Sequence, residues 1–343
     1  MRILILLSSF FYSGQTTHVV SLCEALRQCG QEVRLVVTHP KHSAESMHSY
    51  TKYLADADVH VAVIPAKRIG DIVRYCKRHH IDVTHAHSSW DFSTAHAIQA
   101  RCGIPYVISC HSLGLGHQRL QRYLEQAACL ICVGPRIMAE VEKHGRKVIL
   151  MQNAVDLNRF APMPKADEFT VVYAGRYEQN KLAGIKALGE AIDTFPQPIR
   201  FIVAGDRSCA KYAGESGQYV GWESQMEDYM NQSHVVVGTG RAVREGMAAG
   251  NACLVLGWSY DGIVTPDDLA TASFPDFSGR LNKKELTATA IQDDLLSLYR
   301  NRDWLLELQN FGRSYAEQHF NLRQAALQTI EIYKEALTMA DEH

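Results

Sequence analysis

Two stretches of this chain hold the groups best suited to chemistry. In YAGRYEQNKLAGIKAL, residues 173–188, Arg176 follows an apolar run directly and Lys181 comes five residues later, ahead of a helical pattern. Two cations at the mouth of one strand suit a doubly charged anion, because charge-assisted hydrogen bonds to phosphate oxygens are strong. Two solvated loop cations would read the same way. In GTGRAVREGMAAGNACLVLG, residues 238–257, Gly238 and Gly240 allow a tight turn and a helix begins near Arg241. A helix start presents unpaired N–H groups and a partial positive charge, and glycines ahead of it let a diphosphate approach the backbone. Glu245 lies about one turn beyond Arg241 on nearly the same face. A carboxylate there repels phosphate but accepts hydrogen bonds from a vicinal diol such as a ribose. The alternative is a slim helix, kept small by MAAG, that packs on its sheet with a surface glutamate.

Other groups carry weaker signals. In DVTHAHSSW, His85 and His87 alternate along a strand end and precede Ser88. Such a pair suits zinc, or a polar lining for an acceptor. GTGRAV has Val243 where a dinucleotide fingerprint needs its third glycine, which argues against NAD. The DxD of Asp56 and Asp58 precedes a strand instead of following one, the wrong place for a metal. Cys129 and Cys132 form a CxxC filled with Leu and Ile, with no second pair, and read as part of a buried strand. Segment 67–80 is a basic amphipathic helix whose apolar stripe faces its own sheet, or whose basic face meets a membrane surface.

Something must position these groups. A chain of 343 residues, 46% hydrophobic and 21% charged, is long enough for two α/β domains with full cores. No apolar run reaches the ~20 residues that span a bilayer. The opening MRILILL reads as a first buried strand, since its apolar core is short for a signal peptide and no small-x-small site follows. Nine scattered cysteines indicate a reducing compartment. Short apolar runs (RILILL, EVRLVV, VHVAVI, DVTHAH, PYVISCH, ACLICVG, then TVVYAGR, IRFIVAGD, HVVVGTG, ACLVLG) alternate with amphipathic segments such as 16–29, the pattern of βαβ units and parallel sheets. A linker is expected at 157–167, where two prolines interrupt the periodicity. Net charge is −2, yet residues 1–155 hold 17 Lys and Arg against 11 Asp and Glu, and the remainder 18 against 26. A basic half joined to an acidic half suggests two domains that meet different partners.

In order, SGQTTHVVSLCEALRQCGQEV, DVTHAHSSW with PYVISCHSL, NAVDLNRFAP, AGRYEQNK, REGMAAGNACLVL and YAEQHFNLRQAALQTIEIYKEAL resemble segments of the retaining glycosyltransferases of family 4. The resemblance covers most of the chain. It implies an α/β GT-B fold, two Rossmann-like domains with parallel sheets facing across a cleft. Its domains would be an acceptor-binding one over 1–157, a nucleotide-sugar-binding one over 168–312, and a helical segment, 313–343, crossing back to the first. It implies a nucleoside-diphosphate sugar donor, with UDP-sugars favoured, and a hydroxyl acceptor, anionic or lipid-linked in view of the basic N-terminal half. No cofactor or metal is expected, because cations replace it. Neither is a nucleic-acid partner. Monomer and homodimer both remain open, in a cytoplasmic protein or one peripheral at the inner face of a membrane. Arg176 and Lys181, beside Gly175, would neutralise the diphosphate near Gly238, Gly240 and Arg241, and Glu245 would hold the ribose. Gly14 would face diphosphate and acceptor. Gly221 and Trp222 fall where the family wraps the base. His111 matches its active-site histidine, which contacts the transferred sugar, and His85, His87 and Ser88 would line the acceptor side. The family's first glutamate would fall at Val237, where this chain has no carboxylate. Two alternatives stand beside transfer: a nucleotide-sugar epimerase on the same fold, and a non-catalytic sugar-nucleotide binder.

Overall fold

The computed structural model describes residues 1–41, 44–176, 178–215, 217–221, 225–271 and 275–341. They form two units, Met1–Ala154 with Leu322–His343, and Val155–Asn321. The first runs β1 (Arg2–Leu7), α1 (Gly14–Gln28), β2 (Glu32–Val37), α2 (Ala44–Asp56), β3 (His60–Val63), α3 (Ile69–Arg78), β4 (Val83–Ala86), α4 (Phe92–Cys102), β5 (Tyr106–Cys110), α5 (Gln118–Gln126), β6 (Cys129–Cys132), α6 (Pro135–Val141) and β7 (Val148–Leu150). The second runs β8 (Thr170–Gly175), α7 (Leu182–Asp193), β9 (Arg200–Gly205), β10 (Gly217–Gly221), α8 (Glu227–Met230), β11 (Val235–Gly238), α9 (Arg241–Ala248), β12 (Ala252–Leu256), β13 (Tyr260–Ile263), α10 (Pro266–Thr271), α11 (Ala288–Arg300) and α12 (Arg302–His319). The chain then returns to the first unit as α13 (Leu322–Asp341).

The first sheet has the order β3-β2-β1-β4-β5-β6-β7, all parallel. A central parallel strand is covered on both faces and must be apolar throughout. Accordingly Ile3, Leu4, Ile5 and Leu6 of β1 are all fully buried, Ile3 and Ile5 in one core and Leu4 and Leu6 in the other. The second sheet, β10-β9-β8-β11-β12-β13, is parallel except for β13, which runs antiparallel to β12 at the edge. Its pleat likewise sends Val235 and Val237 to one core and Val236 to the other.

Two boundaries differ from those expected. The proposed linker is built into the second unit: Leu157 and Phe160 pack in its core, and the Lys165 ammonium donates to Asn231 O, Ala249 O and Asn251 Oδ1. The returning segment begins at Leu322 instead of 313, because α12 packs Leu305, Leu308 and Ala316 into the second unit. In α13, Ala326, Ile330 and Tyr333 lie in the core of the first unit, as their spacing of four and three requires for one buried stripe.

Candidate functional site

In open α/β sheets ligands bind beyond the carboxyl ends of the strands where the strand order reverses, because the loops leaving the two central strands diverge there. In the second unit that point lies between β8 and β11. Arg176 leaves the end of β8, and the Gly238–Arg241 turn leaves the end of β11. The structure brings these together: Lys181 Nζ lies 3.5 Å from Thr239 Oγ1, inside the glycine turn. Both cations are bridged by one carboxylate, Glu178, with Oε1 3.1 Å from Arg176 Nη2 and Oε2 3.2 Å from Lys181 Nζ. The two positive charges are therefore gathered around an anion that the protein itself supplies.

The glycines around α9 divide by task. Gly240 adopts φ +56, a conformation that glycine takes without strain, and donates its N–H to Phe277 O at 2.8 Å. This amide is already committed within the unit, so Gly240 contributes the shape of the turn and the absence of a side chain. Gly246 serves packing: a Cβ there would stand 2.7 Å from Val236 Cβ and 2.9 Å from Cys253 Sγ. Glu245 is not the surface glutamate of the bland alternative. It is 8% exposed, and its Oε1 accepts from Arg241 Nε at 2.6 Å. Burial pushes its carboxyl up, and Arg241 opposes the rise. Arg241 thus begins as the partner of Glu245. Val237 is fully buried in the core opposite the face that carries Val243 and Met247 of α9, so a carboxylate at that position would be desolvated. Gly221 ends β10 with φ +80, while Trp222 lies outside the described residues.

The first unit has its own switch point, between β1 and β4. Gly14 opens α1 just past β1, where the Ser13 hydroxyl accepts from Thr16 N–H as a cap. His87 and the partly buried Ser88 follow β4, and His111 follows β5. Their rings meet: His87 Nδ1 is 3.1 Å from His111 Nε2, and one nitrogen from each of His18, His87 and His111 lies within 4.8 Å of the others. Burial pushes His87 well below the usual imidazole range and His111 down to about 4. His85 requires a correction. It is fully buried, its Nδ1 2.6 Å from Tyr333 Oη and its Nε2 2.9 Å from Ser109 Oγ, and burial takes it down to about 3. With both nitrogens engaged inside the unit it is a core residue that anchors α13, not a lining of the acceptor side.

The weaker signals resolve simply. Asp56 ends α2 and Asp58 pairs with Arg27, so the DxD presents no joint face. Cys129 and Cys132 are free and buried in β6. In α3, Ile72 and Cys76 pack in the unit's own core, and no helix among the described residues is long and apolar enough to cross a membrane.

Residues 12–159 match the family model described as Glycosyltransferase Family 4. Over those residues the chain is similar to that family. Its fold is GT-B. The glycosyltransferase of Rickettsia africae superposes with a TM-score of 0.74 at 14% identity, covering 98% of each chain. HepE of Anabaena, solved with UDP and glucose, gives 0.73 at 14% identity over 96% of this chain and 98% of its own. A protein of Listeria monocytogenes assigned as a UDP-N-acetylglucosamine 2-epimerase gives 0.66 at 12% identity over 99% and 97%. No curated protein matches this chain in sequence. In the first unit the sequence reading missed His18, which lies within α1 and joins the cluster only through folding, and in the second unit it missed Glu178 and Thr239. Glu178 stands between the two cations in EQNK and carried a signal by position alone.

Proposed function

We propose that the protein is a retaining glycosyltransferase that moves a sugar from a nucleoside-diphosphate sugar, UDP-sugars first, to a hydroxyl acceptor. The observation that carries this reading is the convergence of Arg176, Lys181 and the Gly238–Arg241 turn at the switch point of the second sheet. Departure of the diphosphate builds negative charge, and fixed cations there stabilise it without the reorganisation that water would need. No metal is then required for that step. Glu178 must yield both cations to the diphosphate as the donor binds. The Glu245 carboxylate, already oriented by Arg241, accepts from the ribose hydroxyls through its remaining lone pairs. The contact of His111 with the transferred sugar, a front-face displacement in which the leaving phosphate takes the acceptor proton, and a cytoplasmic location all belong to this same proposal.

HepE was solved with UDP and with UDP-glucose, which supports UDP as the first donor nucleotide to test. A thermal-shift screen over UDP-, GDP-, ADP- and dTDP-sugars should show stabilisation by one nucleotide class, followed by transfer assays with that donor. The likeness to the Listeria protein favours one second reading, an epimerase. Isomerisation of donor incubated alone, with no glycoside formed on any acceptor, would establish it. Donor binding without transfer, hydrolysis or isomerisation would leave a sugar-nucleotide binder.

A further inference from the structure

We propose that His18, His87 and His111 form a binding site for one divalent transition-metal ion of the zinc class in the N-terminal unit. The three side chains come from distant parts of the sequence, α1 and the ends of the adjacent strands β4 and β5, and the fold gathers them at the switch point of the first sheet. Each offers one ring nitrogen, all within 4.8 Å of one another. A tetrahedral ion with Zn–N bonds of about 2.0–2.1 Å asks for nitrogens about 3.3 Å apart. The three nitrogens lie within 4.8 Å of one another, so small ring rotations bring them to that spacing.

His87 is also poorly satisfied as a hydrogen-bonded core residue, which distinguishes it from His85. The His87 ring is 1% exposed, yet its Nε2 has no hydrogen-bond partner among the described residues. A neutral imidazole has one donor and one acceptor nitrogen. Either tautomer that bonds His87 Nδ1 to His111 therefore leaves the other nitrogen of His87 buried and idle. Three imidazoles with no carboxylate or thiolate among them suit zinc, copper or nickel and disfavour magnesium or calcium, which take oxygen ligands. His111 is only partly buried, so an ion can enter on that side and keep a fourth position for water or a ligand oxygen. Because the proposed function has His111 touch the transferred sugar, an ion bound here would lower turnover, but the site itself does not depend on that reading.

The test uses the full chain, stripped with chelator and titrated with Co²⁺, whose visible absorption reports coordination geometry. The expected result is one ion per chain with the intense bands of a tetrahedral site, displaced by Zn²⁺. His87→Ala and, as a milder change, His18→Gln should each weaken binding by more than about tenfold, since even ligand-supporting residues matter on that scale. His60→Ala, at an exposed ring outside the cluster, should leave it unchanged. Absence of stoichiometric binding by the unsubstituted protein overturns the proposal whatever the variants do. So does binding that survives both cluster substitutions. Nucleotide-sugar binding or transfer is a separate readout, so failure of either conclusion is recognised without the other.

Discussion

Glu178 offers the sharpest test of the anion site. It binds Arg176 at 3.1 Å and Lys181 at 3.2 Å, the two cations that the proposed donor diphosphate would have to claim. Under the proposed function a bound nucleotide competes with an internal carboxylate. The Arg176, Glu178 and Lys181 side chains are 49%, 32% and 17% exposed, so these pairs belong with partly solvated ones. Such pairs are worth about 0.2–1 kcal/mol each, hence about 0.4–2 kcal/mol for the two. Glu178→Gln keeps the shape and removes the charge. UDP should then bind about twofold to thirtyfold more tightly, at about 1.4 kcal/mol per factor of ten. Calorimetric titration of UDP into both proteins measures this directly. The gain should shrink as salt rises, because screening weakens the contacts that were lost. Unchanged affinity would mean that the cations do not meet the diphosphate. Weaker affinity would mean that Glu178 holds them in place for it. Either result refutes the argument.

Arg176→Ala or Lys181→Ala should cut turnover at least about a hundredfold, the scale of a lost transition-state charge contact, while circular dichroism shows the fold retained. Glu245→Ala should weaken UDP binding by about tenfold or more, since hydrogen bonds to a charged group contribute about 1.5–3 kcal/mol; equal calorimetric affinities would remove Glu245 from the nucleotide site. Asp91 is fully buried, accepts from Thr38 Oγ1, leaves Oδ2 without a partner among the described residues, and is pushed up by burial to about 7. With the folded value raised, the group's contribution is complete below about pH 3.9 and is lost as pH climbs to about 7, on the order of 4 kcal/mol. The unfolding midpoint of Asp91→Asn should therefore gain on the parent across that interval and run parallel to it above. Gly246→Ala should destabilise by about 1–3 kcal/mol through overpacking against Val236 and Cys253, read as a lower denaturation midpoint.

Local pattern determined a great deal of this protein. Apolar runs such as RILILL and TVVYAG read as buried parallel strands, because each residue in them demands burial on one face or the other. The glycines and cations at their carboxyl ends marked the segments that the fold brings together at the second switch point. The tertiary structure decided what each polar group does there, because a side chain's partners are set by long-range packing and not by its neighbours in sequence. His85 and His87 are two residues apart and look equivalent in THAH, yet Tyr333, 248 positions away, satisfies one of them. The other turns to His111 and His18. Glu245 likewise reads as a solvated residue until the packing of α9 on the sheet removes its water and leaves Arg241 beside it.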